Sequence, residues 1–248
     1  RDVRRFGSGP YLLRLQRAEP WPEGFPYDVL AGLDDLSFEQ PITLLAGDNG
    51  TGKSTVIEAC AAAMGFAPEG GELERLGELP AVPAAILDGH VEPVLNRWAR
   101  PRLGYFLRAE SFFNVAAFVD QQGRFSPDLS LYGDRPLHEQ SHGQSFLALA
   151  SHRFGGEGIF ILDEPEAALS VTGALALVAV IARAAEQGAQ FIIATHSPIL
   201  LALPGAKRYE LTEDGFAETA YDDLDAVRLL RGFLDAPERY LRAALSSD

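Results

Sequence analysis

Cysteine is almost absent from this sequence, which has one, Cys60, in 248 residues. Cys60 lies among alanines, so a small buried core residue is the preferred interpretation, ahead of a redox role. Long apolar runs are also absent, because none approaches the roughly 20 residues that a membrane-spanning helix needs. The first residues carry arginines in place of the apolar centre of a secretion signal. We therefore expect a soluble, cytoplasmic protein with no membrane segment.

Positive charge is scarce as well, because 35 acidic residues against 21 lysines and arginines give a formal net charge of −14. A chain this acidic lacks the broad basic surface with which proteins grip nucleic-acid phosphates. Arg97, Arg100 and Arg102 surround Trp98, but a solvated surface is the preferred interpretation of three arginines. Net charge therefore does not support DNA binding, which would need a dimer groove or a partner protein.

Length and composition allow one large α/β domain or two small ones, with 47% hydrophobic residues to fill a core. Runs that are apolar on both sides belong inside a parallel sheet. The buried-strand candidates are Pro41–Leu45, Gly104–Arg108, Gly158–Asp163 and Gln190–Thr195. Residues 67 to about 101 are predicted to be variable, with Glu69–Glu78 as a surface elaboration. The other predicted elements are an edge strand at Tyr11–Gln16, helices at Leu147–Phe154 and Val171–Gln187, and a hairpin of Lys207–Leu211 with Gly215–Thr219.

A glycine-rich turn, Gly47–Ser54, follows the apolar segment Pro41–Leu45 and leads into the helical segment Val56–Met64. Its pattern of Gly, four residues and Gly-Lys-Ser forms a phosphate-binding loop when it joins a strand to a helix. Residues without a Cβ let backbone N–H groups turn toward phosphate oxygens, and the positive end of the helix adds attraction. A ligand-free turn would need every position to match by accident. The predicted nucleotide-binding residues are Asn49, Gly50, Thr51, Gly52, Lys53, Ser54 and Thr55.

Two regions of the sequence supply the chemistry that such a loop requires. Lys53 would reach the β- and γ-phosphates, and the Ser54 hydroxyl would ligate Mg²⁺. Asp163 ends an apolar strand and can hold Mg²⁺ together with Ser54, partly through water. Glu164 is placed to accept a proton from the water that attacks the γ-phosphate. An apolar strand ending in Asp-Glu is a weak signal alone, but it becomes a strong one beside this loop.

Two further ionisable residues follow predicted strands, where α/β proteins bind their ligands. His196 follows Gln190–Thr195, and we prefer a γ-phosphate contact over a structural histidine. Glu110 follows shortly after Gly104–Arg108. An aromatic ring would also be expected to stack on adenine, although core packing is the preferred interpretation of each candidate. These candidates are Tyr11, Phe25 and Tyr27.

The order of these motifs, from Leu12 to about Glu218, resembles the ABC-type ATPase domain, a class that includes transporter ATPase subunits and SMC-like and RecF-like proteins. The phrases Arg108–Asn114 and His138–Gly143 resemble, more narrowly, a group of small stand-alone bacterial ATPases of this class. The motif matches are Gly47–Ser54 with Walker A, Ile159–Glu164 with Walker B and its catalytic glutamate, Thr195–Ser197 with the switch-histidine loop, Ser141–Gln144 with the signature, and Ala167–Ser170 with the D-loop.

The resemblance implies an α/β P-loop NTPase fold with a mostly parallel central sheet, an N-terminal antiparallel β portion and a helical lid. We expect one domain over residues 1–248, a lid at about 111–150 that carries the signature, and a helical tail at about 220–248. Two residues depart from the family pattern. His142 replaces the first signature glycine, which leaves Ser141, Gly143 and Gln144 to contact nucleotide. Glu110 stands where the family has its Q-loop glutamine, and its carboxylate is a candidate Mg²⁺ ligand.

The signature also implies how the protein would work. ATP on the Walker motifs of one subunit would be completed by Ser141 and Gly143 of a second copy, so that ATP closes a homodimer and hydrolysis opens it. The leading hypothesis is an ATP-gated dimer that acts on an unknown protein partner, with DNA maintenance or defence as its setting. The alternatives are a transporter ATPase subunit and a nucleotide-dependent interaction module with little turnover. The segment between Lys53 and Ser141 is too short for the long coiled-coil arm of a full SMC-type protein.

Overall fold

The computed structural model of the chain describes residues 9–21, 23, 30, 33–73, 87–108, 142–167, 169–212 and 215–246. The strands in this part of the chain are β1 (Leu12–Arg17), β2 (Asp35–Ser37), β3 (Ile42–Gly47), β4 (Gly71–Glu72), β5 (Val91–Leu95), β6 (Leu103–Arg108), β7 (Gly158–Asp163), β8 (Gln190–Ala194), β9 (Lys207–Thr212) and β10 (Gly215–Glu218). The helices are α1 (Lys53–Met64), α2 (His142–Arg153), α3 (Val171–Glu186), α4 (Pro198–Leu201), α5 (Asp225–Asp235) and α6 (Pro237–Leu245).

The larger sheet has seven strands in the order β10-β9-β3-β8-β7-β6-β4. Neighbours from β9 to β6 run parallel, whereas β10 and β4 pair antiparallel at the two edges. Strands β3, β7 and β8 are buried along almost their whole length, which explains their uninterrupted apolar sequences. The predicted α/β class with a mostly parallel central sheet is therefore confirmed.

Side chains of the central strands alternate between two apolar layers. On β7, Ile159 and Ile161 enter a core shared with α1 and β1, while Phe160 and Leu162 enter the core beneath α2, α3 and α4. The Phe160 ring stacks on Phe191 of β8 with 5.0 Å between ring centroids. Both faces of the sheet are therefore covered, and the carboxyl ends of its strands remain as an uncovered edge where a site can form.

A smaller antiparallel sheet, ordered β2-β1-β5, contains the N-terminal part of the described chain. The stretch from residue 67 to 101, in which the sequence indicated no strand, contributes strands β4 and β5. Its variability, and Glu69–Glu78 as a surface elaboration, stay predictions. Pro93 interrupts the residue pattern of β5, and a proline is tolerated because β5 lies at the edge of its sheet. The predicted N-terminal antiparallel portion is present and is larger than the sequence indicated.

Cys60, the lid and the tail were also predicted from the sequence. Cys60 is completely buried in the core, and burial raises the pKa of its thiol, as expected for a structural residue. Of the predicted lid at 111–150, the described residues include only 142–150, which belong to α2. Helices α5 and α6 occupy the predicted tail. The division into one domain with a lid and a tail stays a prediction. No helix of the described ranges has the length and apolarity that crossing a membrane requires.

Candidate nucleotide-binding site

The carboxyl ends of β3, β8 and β7 meet at one edge of the central sheet. Ala194 lies opposite both Leu45 of β3 and Asp163 of β7, so the three strands end at the same level. The glycine-rich turn, the Asp-Glu pair and the histidine loop leave from these three ends. Parallel topology therefore brings together residues that are more than a hundred positions apart in the chain.

The glycine-rich turn has a backbone that other residues would strain. Gly47 has φ 141°, and a Cβ there would lie 2.5 Å from the carbonyl oxygen of Leu211. Gly52, the N-cap of α1, is left-handed with φ 95°. The Thr51 hydroxyl closes the turn by donating to the Asp48 carbonyl oxygen at 2.8 Å. These glycines are required by close approach and by positive φ, as the phosphate-loop pattern predicts.

The Lys53 side chain is folded into this turn. Its ammonium donates to the carbonyl oxygens of Gly47 at 2.8 Å and Asp48 at 2.7 Å, and only 4% of the residue is exposed. Burial lowers the pKa of Lys53, and the charges of nearby acidic residues, Glu164 first, oppose that shift. Two carbonyl oxygens of the turn thus hold the ammonium at the start of α1, where a bound phosphate would take their place as its partner.

Ser54 and Asp163 join the turn to β7. The Ser54 hydroxyl donates to Asp163 Oδ1 at 3.3 Å. Burial raises the pKa of Asp163 and the charge of Glu164 adds to this, whereas the Ser54 hydrogen bond and the charges of Arg108 and Lys53 oppose it. A hydroxyl and a buried carboxylate side by side fit Mg²⁺, which takes one or two protein oxygens and completes its shell with phosphate and water. Ser54 and Asp163 are the residues that would hold it.

Glu164 has an unusual backbone and faces His196. Its φ is 48°, a left-handed value that is uncommon for a residue with a long side chain. Its N–H donates to the Ala194 carbonyl oxygen at 2.9 Å, which fixes this conformation at the strand end. The Glu164 Oε1 to His196 Nδ1 distance is 3.6 Å, and the two side chains are 33% and 55% exposed. The predicted base and the predicted phosphate contact are therefore neighbours at an open surface.

The sequence did not identify Glu166 as a site residue. Glu166 is buried, and its Oε1 atom accepts hydrogen bonds from the Thr195 hydroxyl and from the backbone N–H groups of His196 and Ser197. The available signal was a third carboxylate just beyond the Asp163-Glu164 pair. That signal does not show which loop the carboxylate contacts.

Arg108 is a second residue that the sequence did not single out for the site. It ends β6 directly opposite Asp163 in the sheet register. Its guanidinium donates to a carboxylate oxygen of Glu58 on α1, and its charge partly offsets the rise in the pKa of Asp163 that burial causes. An arginine at the end of a predicted strand beside the Asp-Glu strand was the available signal.

The remaining predicted site residues divide into those that the structure describes and those that it does not. Asn49 and Gly50 are exposed on the turn, and Thr55 is half-buried in α1. Gly143 and Gln144 lie in the first turn of α2, whereas Glu110, Ser141, Phe25 and Tyr27 lie outside the described residues. Tyr11 is completely buried, so it packs in the core and does not stack on adenine.

Comparison with known proteins agrees with this fold. The family described as "AAA domain, putative AbiEii toxin, Type IV TA system" matches residues 94–202, and one described as "AAA domain" matches residues 29–79. The cytochrome c biogenesis ATP-binding export protein CcmA of Salmonella typhi is 30% identical over 179 residues, which cover 69% of this chain and 83% of CcmA.

A solved structure with a TM-score above 0.5 shows the same fold. CbiO1 of Clostridium perfringens, part of the ABC transporter complex cbiONQ, superposes with a TM-score of 0.53 at 14% identity, covering 92% of this chain and 97% of that one. The SMC head domain of Thermotoga maritima superposes with a TM-score of 0.47 at 13% identity, covering 85% of this chain and all of the head domain. The sheet, the phosphate loop and the strand-end carboxylates define a P-loop NTPase. Within that class the chain belongs to the ABC-type ATPases, and it is an ATP-binding enzyme of the ATPase type.

Proposed function

We propose that this protein binds and hydrolyses ATP with Mg²⁺ in the cytoplasm, and that ATP closes a homodimer which acts on a protein partner. The observation that carries the proposal is the convergence of Lys53, the Ser54–Asp163 pair, Glu164 and His196 at one edge of the sheet. These groups supply a cation, two metal-ligating oxygens, a base and a phosphate-binding imidazole, which together make up a phosphoryl-transfer site.

Each residue has a defined role in this proposal. Lys53 leaves its two carbonyl partners and donates to the β- and γ-phosphates, and Ser54 and Asp163 are the residues that would hold Mg²⁺. Glu164 orients the attacking water and accepts its proton. His196 donates to the γ-phosphate from the nitrogen that does not face Glu164. A Mg²⁺ ion held by Ser54 and Asp163 would neutralise charge that develops on the phosphate oxygens.

The openness of this edge supports the proposed dimer. Ser54 is exposed, and Glu164 and His196 are partly exposed, and a second protein surface over them would exclude water from the reaction. We propose that Ser141, Gly143 and Gln144 of a second copy provide this surface, and that Glu110 contributes to the Mg²⁺ shell. The setting that we propose is DNA maintenance or defence, with the DNA contact supplied by a partner because the chain has a net charge of −14.

A transporter ATPase subunit is the second candidate, and the similarity to CcmA, an ATP-binding export protein, favours it. Such a subunit would bind a membrane protein through its lid surface. The two candidates differ in what the ATP-bound protein captures. Affinity capture with detergent-solubilised membranes and with a clarified lysate, with and without DNA, separates them, because a transporter subunit retains an integral membrane protein. A nucleotide-dependent interaction module, the third candidate, would bind ATP with scarcely any turnover.

The decisive experiment uses Glu164→Gln, with Glu186→Gln at the exposed end of α3 as a matched control. ATP turnover is measured by phosphate release, and mass by analytical ultracentrifugation with no nucleotide, MgADP or MgATP. We expect Glu164→Gln to lose at least about 100-fold in kcat and to accumulate as a dimer only with MgATP. The control should match the wild type in both measurements.

Each part of the proposal has its own contrary result. Equal turnover in Glu164→Gln and the wild type would remove Glu164 as the base. A monomer in every nucleotide state would overturn the ATP-gated dimer. Tight MgATP binding with negligible wild-type turnover would support the interaction module in place of the hydrolase.

A further inference from the structure

The side chain of Glu166 joins two loops of the site. Its Oε1 atom accepts hydrogen bonds from the Thr195 hydroxyl and from the backbone N–H groups of His196 and Ser197, each backbone distance being 3.1 Å. The Ser197 N–H also reaches the Thr195 hydroxyl oxygen at 3.0 Å. One carboxylate oxygen therefore holds the loop that carries His196 through three donors from consecutive residues.

These contacts are sheltered from water. The Glu166 side chain is 8% exposed, and Thr195 is completely buried. Hydrogen bonds to an ionised acceptor are about twice as strong as neutral ones, and burial limits competition from solvent. The other oxygen, Oε2, is also buried and has no hydrogen-bond partner among the described residues. Burying an acidic side chain costs free energy unless hydrogen bonds compensate. For the Glu166 side chain, the compensating bonds that the structure shows are those from the His196 loop.

The loop that Glu166 holds determines where the imidazole lies. His196 Nδ1 is 3.7 Å from Glu166 Oε1 and 3.6 Å from Glu164 Oε1, so the ring edge is held between two carboxylates. We propose that Glu166 is a positioning residue: it fixes the His196 loop so that one ring nitrogen faces Glu164 and the other remains available to the γ-phosphate. This inference rests on the proposed ATPase mechanism and adds a residue to it.

Glu166 also fixes the chain that leaves β7. Its carbonyl oxygen accepts from the Leu169 N–H at 2.8 Å, and the Glu164 carbonyl oxygen accepts from the Ala167 N–H at 3.1 Å. Ser170 then caps α3 by accepting from the Gly173 N–H at 3.2 Å. Glu166 therefore contacts both this turn and the His196 loop.

The test compares Glu166→Ala with Glu166→Gln in the full chain. The amide oxygen of glutamine can accept the same three hydrogen bonds without the charge, whereas alanine removes the acceptor. For MgATP turnover we expect Glu166→Ala to lower kcat at least about tenfold and to leave KM within about threefold, because Lys53 and the turn bind the nucleotide independently. Glu166→Gln should stay within about threefold of the wild type. Glu186→Ala is the control for loss of an exposed glutamate.

A second readout does not depend on turnover. Hydrogen exchange of the His196 and Ser197 amides, followed by mass spectrometry on peptides spanning 190–200, should accelerate at least about tenfold in Glu166→Ala and remain near the wild-type rate in Glu166→Gln. Thr195→Val removes the hydroxyl that donates to Glu166 and accepts from the Ser197 N–H, but it leaves both backbone hydrogen bonds to Glu166 in place. It should accelerate exchange by less than about tenfold, and it takes the place of Glu166→Ala if that variant does not fold.

The possible failures are distinguishable. Unchanged exchange and unchanged kcat in Glu166→Ala would overturn the positioning role, as would parallel losses in kcat, ATP affinity and melting temperature, which indicate a general structural role. A wild-type protein without turnover would overturn the proposed function, while the exchange measurement would still decide whether Glu166 holds the loop.

Discussion

Gln190 in β8 holds Leu12 in β1 through both ends of its side-chain amide. Its Oε1 accepts from the Leu12 N–H at 3.1 Å, and its Nε2 donates to the Leu12 carbonyl oxygen at 2.7 Å. The same amide accepts from the Tyr11 N–H and donates to the Phe38 carbonyl oxygen. A single buried side chain therefore ties the antiparallel sheet to the central sheet with all of its hydrogen-bonding capacity.

Replacing this amide should destabilise the fold. Gln190→Leu leaves four buried backbone groups without their partners, and we expect a loss of about 3 kcal/mol in the free energy of unfolding. Gln187→Leu, at an exposed position three residues earlier, should change the free energy by less than about 0.5 kcal/mol. Urea unfolding followed by circular dichroism measures both. Similar stabilities for the two variants would show that the link between the sheets is not important for stability.

The left-handed backbone of Glu164 predicts a difference between two variants that remove the same charge. Asparagine tolerates positive φ better than glutamine does, and Glu164 has φ 48°. We expect Glu164→Asn to be more stable than Glu164→Gln by roughly 0.5–1 kcal/mol, with neither variant hydrolysing ATP. Thermal unfolding without nucleotide tests this. Equal stability of Glu164→Gln and Glu164→Asn would show that the left-handed backbone at this residue does not destabilise the folded protein.

The pKa of Asp163 predicts how stability changes with pH. Burial raises this pKa in the folded protein, so the folded state binds the proton more tightly than the unfolded state does. The Asp163 contribution to stability therefore falls as the pH rises from the unfolded pKa, about 3.9, through the folded pKa, and stays low above it. Without Mg²⁺ or nucleotide, Asp163→Asn should be more stable than the wild type at pH 7, with the difference shrinking toward pH 4.

Denaturant unfolding from pH 4 to pH 8 measures this difference, with Asp223→Asn as the exposed control. MgATP should reverse the order at pH 7, because the wild type gains binding free energy that the variant lacks. A difference that grows toward low pH would contradict the raised pKa.

Features that depend on residues close together in the chain could be predicted from the sequence more readily than features that depend on distant contacts. The convergence of Lys53, Ser54, Asp163 and His196 was predictable because each lies at or beyond the carboxyl end of a mostly apolar strand, and parallel strands of one sheet end at a common edge. Strand β5 was missed because Pro93 is unusual inside a strand and because the residues after Val91 are only partly buried or exposed. The segment therefore lacks the alternation of apolar and polar residues that predicts a strand. Tyr11 was a candidate for adenine stacking on residue type alone, and only its burial excludes it.

The sequence by itself determined the phosphate loop, the carboxylate pair and the order of motifs, because these depend on residues that are adjacent in the chain. Only the tertiary structure decided that Gln190 joins two sheets and that Glu166 holds the His196 loop. Those contacts cross 178 and 30 positions of sequence, respectively. They exist because the order of strands in the sheet, which no local pattern encodes, brings distant segments within hydrogen-bonding distance.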